Sequence, residues 1–247
     1  SSPITYVVDQ RLATVDSDRQ ADRKFTELPD LQGVIQSDEW IAKWNKVSER
    51  AQKLIGSLDG WSEAVIARTI AATIPNGTAL FVSSSRPIRD FEGFAHPRGG
   101  VYTYANRGLA GIDGNISTAL GVAYGHKATI AVLGDLSFLH DLTGLVNKEA
   151  INCRFIVINN DGGGIFSTLP QRGVTGFETV FGTPHGLNPA AIAQVMGVEA
   201  KQISSLKELE AEIKAPISGV SVVVCDVPDR ESNADNLKKI VESLTSI

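Results

Sequence analysis

The chain reads as an α/β protein: a doubly wound parallel sheet with helices on both faces. Two observations carry that expectation. Short runs rich in β-branched residues (Ala79 to Val82, Val101 to Tyr104, Thr129 to Leu133, Phe155 to Ile158, Val220 to Cys225) are apolar throughout rather than alternating, as strands buried on both faces are. The segments between and after them, near 114–125, 137–150, 188–196, 205–213 and 232–246, are long enough for crossover helices.

Before that pattern starts, residues 4–8 (Ile-Thr-Tyr-Val-Val) read as a strand, followed by a polar stretch from Asp16 to Lys24 with no apolar partner of its own. From Ser37 onward, Trp40, Ile41, Trp44, Val47, Ala51, Leu54, Ile55 and Leu58 recur at steps of three and four, which predicts a helix with one buried face, ended by Gly60. A second helix runs from Ser62 to Ile74 and stops at Pro75-Asn76-Gly77. Residues 1–30 read as the tail of a preceding domain and a linker, and 31–247 as one domain. The only methionine is Met196, so the chain is expected to begin inside a longer protein, as a fragment or a processed product.

Composition excludes several classes of function. With 43% hydrophobic and 21% charged residues over 247 positions, the chain has the make-up of an ordinary globular protein. Its longest apolar stretches, Ala64 to Ile74 and Ile151 to Ile158, fall well short of the roughly 20 residues a membrane-spanning helix needs. A formal charge of -5 argues against nucleic acid as a partner, which would call for a basic excess. Cys153 and Cys225 each lie inside an apolar run and read as buried thiols in a reducing compartment. The first residues lack a basic segment followed by an apolar core, so a cytoplasmic location is expected.

In a doubly wound sheet, ligands bind outside the carboxyl ends of the strands. The run 129–133 ends in Gly134-Asp135-Leu136, and the run 155–158 ends in Asn159-Asn160-Asp161-Gly162-Gly163-Gly164. The stretch between them fits one helix plus one strand, so a right-handed crossover sets the two loops side by side. Asp135 brings an anionic oxygen, Asn160 a neutral amide oxygen, and the Gly162 region its carbonyls. All-oxygen ligation of that kind favours magnesium, with substrate phosphates completing the shell. Taken singly, Asp135 is an ordinary N-cap, the asparagines an ordinary turn and the glycines an ordinary loop. At consecutive strand ends they read as one site. A third loop, Asn106 to Gly114, precedes a helix of small residues, Asn115 to Gly125, and is a candidate for facing phosphate. Neither a P-loop nor a GxGxxG fingerprint is present.

Gly134-Asp135 followed, after one helix and one strand, by Asn159-Asn160 resembles the thiamin-diphosphate binding motif. Within that superfamily three segments resemble the family of 2-succinyl-5-enolpyruvyl-6-hydroxy-3-cyclohexene-1-carboxylate synthases (MenD) of menaquinone biosynthesis. They are Asn106-Arg107-Gly108…Gly111-Ile112-Asp113-Gly114, Gly134-Asp135-Leu136-Ser137…Asp141-Leu142, and Asn159 to Ser167 with Leu169-Pro170. The similarity covers roughly residues 35–247, the pyrophosphate domain, with the motifs in the family's order; residues 1–30 match the end of the family's middle domain. Asp161 stands where the family often carries a third asparagine.

The resemblance implies thiamin diphosphate as cofactor, with Mg2+ or Mn2+ held by Asp135, Asn160 and the carbonyl of Gly162. It implies cofactor contacts from Gly108, Ile112, Gly134, Asp135, Leu136, Asn160, Gly162, Gly163 and Ile165. Ile112 matches the apolar wedge that bends the cofactor. Ile165, Phe166 and Leu169 match the apolar wall over the thiazolium, so Ile112, Ile165 and Phe166 would act at the reacting atoms. Ser85, Arg89 and Arg107 match positions that meet substrate carboxylates, and Phe166 and Leu169 would also border substrate. A guanidinium fork suits carboxylates.

The reaction implied is a transferase (carboligase) step: decarboxylation of 2-oxoglutarate and addition of the succinyl-semialdehyde carbanion to isochorismate. The family also implies a homodimer or dimer of dimers, in which another subunit's pyrimidine-binding domain brings the activating glutamate. No such domain is read in this sequence, so the chain alone is expected to be inactive and to bind the cofactor weakly. Two other readings stay open: a different thiamin carboligase or decarboxylase, such as an acetolactate synthase relative, and a non-catalytic nucleotide-binding module on the same sheet. The histidines His96, His126, His140 and His185 have no regular metal spacing and receive no role, although the Gly182-Thr183-Pro184-His185-Gly186 loop is a candidate to lie over the site.

Overall fold

The computed structural model describes residues 4–10, 21–30, 37–106, 108–146 and 150–246. The chain divides into two compact units, residues 1–48 and 49–247. In the first, β1 (Tyr6–Val8) pairs in parallel with β2 (Arg23–Phe25), and the Tyr6 and Phe25 rings meet edge to face at 5.6 Å. Helix α1 (Asp38–Ser57) begins here and ends in the second unit. Its apolar stripe is only partly buried, contrary to the sequence expectation. Trp40 and Trp44 are about 60% exposed, while Leu54, Ile55 and Leu58 pack with Ala64, Phe94 and Ile240. In the N-terminal half of the stripe Val47 is also exposed and Ile41 is half-buried.

The second unit holds a six-stranded parallel sheet, five of whose strands are the apolar runs of the sequence. Helix α2 (Glu63–Thr73) leads into β3 (Ala79–Val82), α3 (Arg86–Phe94), β4 (Tyr102–Tyr104), α4 (Asn115–Tyr124) and β5 (Thr129–Gly134). Then come α5 (Asp135–His140), β6 (Cys153–Asn159), α6 (Pro189–Val195), β7 (Glu199–Ile203), α7 (Leu206–Lys214), β8 (Val220–Asp226) and α8 (Arg230–Thr245). The spatial order is β4-β3-β5-β6-β8-β7. After β3 the chain moves outward to β4 and returns past β3 to β5, so the direction of winding reverses between β3 and β5. In doubly wound sheets ligands bind at such a reversal, outside the carboxyl ends of the strands.

Alternate residues of each strand face opposite layers. Leu80, Val82, Ile130, Val132, Ile156 and Ile158 pack under α2, α3 and α7, whereas Phe81, Ala131, Leu133, Phe155 and Val157 pack under α4, α5 and α6. Burying each of the larger side chains, Ala131 excepted, contributes about 1.5–3 kcal/mol. Cys153 and Cys225 are free and buried, as expected, and burial pushes the Cys153 thiol up to about 12.

Three further sequence expectations need correction. The run Val101 to Tyr104 forms an exposed edge strand rather than one buried on both faces: among the described residues β4 pairs with β3 alone, and all three of its residues are exposed. The helix expected over 137–150 stops at His140 and gives way to a 3-10 turn at Leu142–Leu145. There the Asp141 carboxylate is drawn away to the first turn of α4, accepting from Ser117 N at 2.7 Å and Ser117 Oγ at 3.2 Å. Strand β7 and helix α3 were not read from the sequence. β7 (Glu-Ala-Lys-Gln-Ile) is a half-polar edge, and α3 is short, with a proline in its first turn.

Candidate cofactor and metal site

Asp135 opens α5 at the end of β5 and is 2% exposed. Its Oδ1 accepts from Leu136 N at 2.6 Å. Its Oδ2 accepts from Gly162 N at 2.9 Å, which fastens the loop after β6 to the loop after β5. His185 Nε2 approaches the same oxygen at 3.3 Å, so an imidazole does reach this cluster, where the sequence reading had oxygens alone. His185 Nδ1 accepts from Leu187 N at 3.0 Å, which leaves Nε2 to donate to the carboxylate. The hydrogen bond to Asp135 raises the imidazole's pKa above its ordinary value, with burial opposing.

The two asparagines after β6 separate by function. Asn159 lies opposite Asp226 in the ladder and donates to its Oδ1 at 2.8 Å, a cross-strand contact. Asn160 continues the phase of Ile156 and Ile158 toward α2, and its Nδ2 donates to Glu63 Oε1 at 2.6 Å. Asn160 Oδ1 is buried with no hydrogen-bond partner, a state that costs about 1–3 kcal/mol unless a ligand fills it.

Behind Asn160 lies a charged cluster that the sequence did not suggest. Glu63 and Asp90, both buried, share the guanidinium of Arg86: Glu63 Oε2 is 3.5 Å from Arg86 Nε, and Asp90 makes a close ion pair with Arg86 Nη2. One cation cannot neutralise two carboxylates. Burial raises the Glu63 carboxyl, Arg86 and Asn160 oppose it, and Asp135 adds repulsion. Burial likewise pushes Asp90 up to about 7, against the pull of Arg86. Because an unfolded Asp ionises near pH 3.9, the native state holds the extra proton between about pH 4 and 7, and stability falls as pH rises through that window. Asp90→Asn is therefore expected to flatten this slope without abolishing it, since Glu63 keeps its share. Denaturant titrations at stepped pH check this, and equal slopes for variant and wild type would contradict it.

The glycine run is fixed in place by the segment that follows it. Gly163 N donates to Gly182 O at 2.7 Å. Asp161, at φ 63, accepts on Oδ1 from His185 N at 3.0 Å and Gly186 N at 2.7 Å. Arg230 donates to the carbonyls of Asp161 and Gly182. The Gly162 carbonyl accepts from Gly164 N at 2.9 Å. The side chain of Asp161, the residue that departs from the family pattern, thus ties the loop to His185.

Among the other residues expected at the site, Gly134 precedes Asp135 as the last residue of β5. Ile165 and Phe166 are half-buried, and the Phe166 ring lies 5.3 Å from that of Phe181; Leu169 is exposed. Ser85, at φ 76, sits at the end of β3, where its carbonyl accepts from Arg89 Nη1 at 2.7 Å. A strained non-glycine backbone of this kind is common at functional sites. Gly108 is exposed and Ile112 half-buried on the β4–α4 loop, outside the hydrogen-bonded cluster around Asp135. Arg107 lies outside the described residues. The first turn of α4, expected to face phosphate, already takes the Asp141 carboxylate at Ser117 N. The contacts of Glu63, Arg86, Asp90 and His185 were missed. Two signals pointed to them: the Gly182–Gly186 loop, expected to lie over the site and carrying His185 to Asp135, and Glu63, a carboxylate opening a largely apolar helix.

Residues 91–227 match the family model described as "Thiamine pyrophosphate enzyme, C-terminal TPP binding domain". A curated 2-succinyl-5-enolpyruvyl-6-hydroxy-3-cyclohexene-1-carboxylate synthase from Thermobifida fusca is 42% identical over 165 residues, 64% of this chain and 30% of that protein. One from Bacillus cytotoxicus is 35% identical over 215 residues, 83% of this chain and 36% of that protein. The chain thus spans about a third of the length of these relatives. A solved structure from Mycobacterium smegmatis, described as a thiamin diphosphate-dependent enzyme, superposes with a TM-score of 0.51 at 20% identity, covering 68% of this chain and 32% of that one. At that identity the likeness concerns the fold.

Proposed function

The chain belongs to the thiamine pyrophosphate enzymes, as a C-terminal cofactor-binding domain, and on that premise we propose that it is the pyrophosphate-binding part of a synthase joining 2-oxoglutarate to isochorismate. The cofactor is thiamin diphosphate with a divalent metal ion. The observation that carries the site assignment is the pairing of Asp135, held by Gly162 N, with Asn160, whose buried Oδ1 lacks a partner. That donor set suits Mg2+ or Mn2+.

In this reading Asp135 ligates the ion through Oδ1, which carries one hydrogen bond, while Oδ2 stays with Gly162 N and His185. Asn160 Oδ1 and the Gly162 carbonyl supply two further oxygens. When bound, thiamin diphosphate supplies the nucleophile and the electron sink for decarboxylating a 2-oxo acid. Ile112 would pack against the bound cofactor, and Ile165, Phe166 and Leu169 would help to exclude water from it. Ser85, Arg89 and Arg107 meet the carboxylates of two anionic substrates. The names of the curated relatives support this substrate pair. The same reading pairs the domain, residues 31–247, with a pyrimidine-binding domain of another subunit in a cytoplasmic homodimer or dimer of dimers.

Thermal unfolding tests the assignment. Thiamin diphosphate with Mg2+ at about 100 times its dissociation constant is expected to add about 2.7 kcal/mol, a rise in Tm of roughly 5–11 °C for a chain of this size. NAD or ATP with the same Mg2+ is expected to give no comparable rise. Equal protection by ATP, or none by thiamin diphosphate, would overturn the reading.

A further inference from the structure

An asparagine amide presents an oxygen on one side and an NH2 group on the other, and only the oxygen binds a cation. If Asn160 were turned over, two N–H bonds would point where Oδ1 now lies. Glu63 decides between the two orientations in its ionised form, which the Arg86 guanidinium favours, because an ionised carboxylate accepts and cannot donate. Its Oε1, 2.6 Å from Asn160 Nδ2, can pair only with the NH2 side. Glu63 is itself immobilised, buried at 7% exposure in the first turn of α2 and held from the other side by Arg86 at 3.5 Å. The contact joins residues 97 positions apart, so the fold rather than local sequence makes it.

We propose that Glu63 is the positioning residue of the metal site: it holds the Asn160 amide so that Oδ1, and not Nδ2, faces the ion. Glu63 touches neither metal nor cofactor in this arrangement, and its positioning role runs through the Asn160 amide that it holds. Partners that orient ligands in this way typically contribute 10–100-fold to metal affinity. The inference rests on the cofactor reading above.

The test is Mn2+ binding at a fixed thiamin diphosphate concentration, read by the EPR signal of free Mn2+, for wild type, Glu63→Ala, Glu63→Gln, Asn160→Ala and the two double variants, with the Tm of each unliganded protein recorded beside it. Glu63→Ala is expected to weaken Mn2+ binding about 10–100-fold. Glu63→Gln is expected to lose less, since its amide oxygen still accepts from Nδ2. In the Asn160→Ala background neither Glu63 change is expected to weaken binding further, because the group it acts through is gone. A merely structural role would instead add to the Asn160→Ala loss. Wild-type affinity in Glu63→Ala, or full additivity with Asn160→Ala, overturns the proposal. If Glu63→Ala does not fold, the isosteric Glu63→Gln pair decides by the same additivity. Failure of the wild type to bind Mn2+ with thiamin diphosphate overturns the cofactor reading itself, and the proposal with it.

Discussion

Asp135→Ala is expected to weaken metal-dependent binding of thiamin diphosphate about 100-fold or more. Asp135 is the one carboxylate in the proposed donor set, and a hard divalent ion draws most of its affinity from anionic oxygen. Its second oxygen also receives Gly162 N, so the substitution strips that buried N–H of its acceptor and lowers stability by about 1–3 kcal/mol. These two losses separate in one experiment. The unliganded Tm should fall by several degrees, and the further rise on adding thiamin diphosphate with Mg2+ should vanish. Asp135→Asn keeps the shape but turns either an oxygen or an NH2 toward Gly162 N, so it too is expected to lose the metal-dependent rise. If either variant retains that rise at wild-type ligand concentration, the ion is held elsewhere.

The parts of this site that the sequence disclosed share one property: each lies within a few residues of a strand end. Asp135 and the Asn160–Gly163 run are recognisable because the apolar runs before them mark where β5 and β6 stop, and parallel topology then fixes which ends are neighbours. Glu63 and His185 carry no such mark. Their contacts span 97 and 50 positions, and nothing in the period of a helix or the composition of a loop tells which distant side chain a carboxylate will meet. The errors in the fold have equally physical causes. Tyr-Thr-Tyr favours a strand whether it is covered or bare, so β4 gave no sign of its exposure. The helix after β5 is expected to be continuous because the segment is long enough for a crossover helix, yet Asp141 is turned toward α4 by two hydrogen bonds. The trend in the strand cores was legible throughout, since four strands of the sheet are buried along most of their length.

Gly162→Ala is expected to be the most destabilising change at the site, by about 3 kcal/mol, with a fall in Tm of roughly 6–12 °C and loss of cofactor binding. Two separate effects add. The backbone at Gly162 has φ +132, a region that residues with a side chain enter only at a cost of about 1–3 kcal/mol. A Cβ there would stand 2.2 Å from Gly182 O, 2.8 Å from Arg230 Nη1 and 3.0 Å from Thr183 O, and two of these three atoms are backbone that cannot swing aside. Relief requires the loop to move away from the 182–183 segment, which pulls Gly162 N off Asp135 and carries the adjoining Asn160 out of position. Gly173→Ala is the control: that glycine also has a positive φ, 83, but a Cβ built on it meets nothing within 4 Å, so it bears the backbone strain alone. The difference in stability between the two variants, measured by urea unfolding, reports the close approach and the lost hydrogen bond together with the greater backbone strain at φ +132. Equal losses for both would mean that the loop accommodates a side chain against Gly182, and that its fit to the neighbouring segment is not what holds Gly162 N on the Asp135 carboxylate.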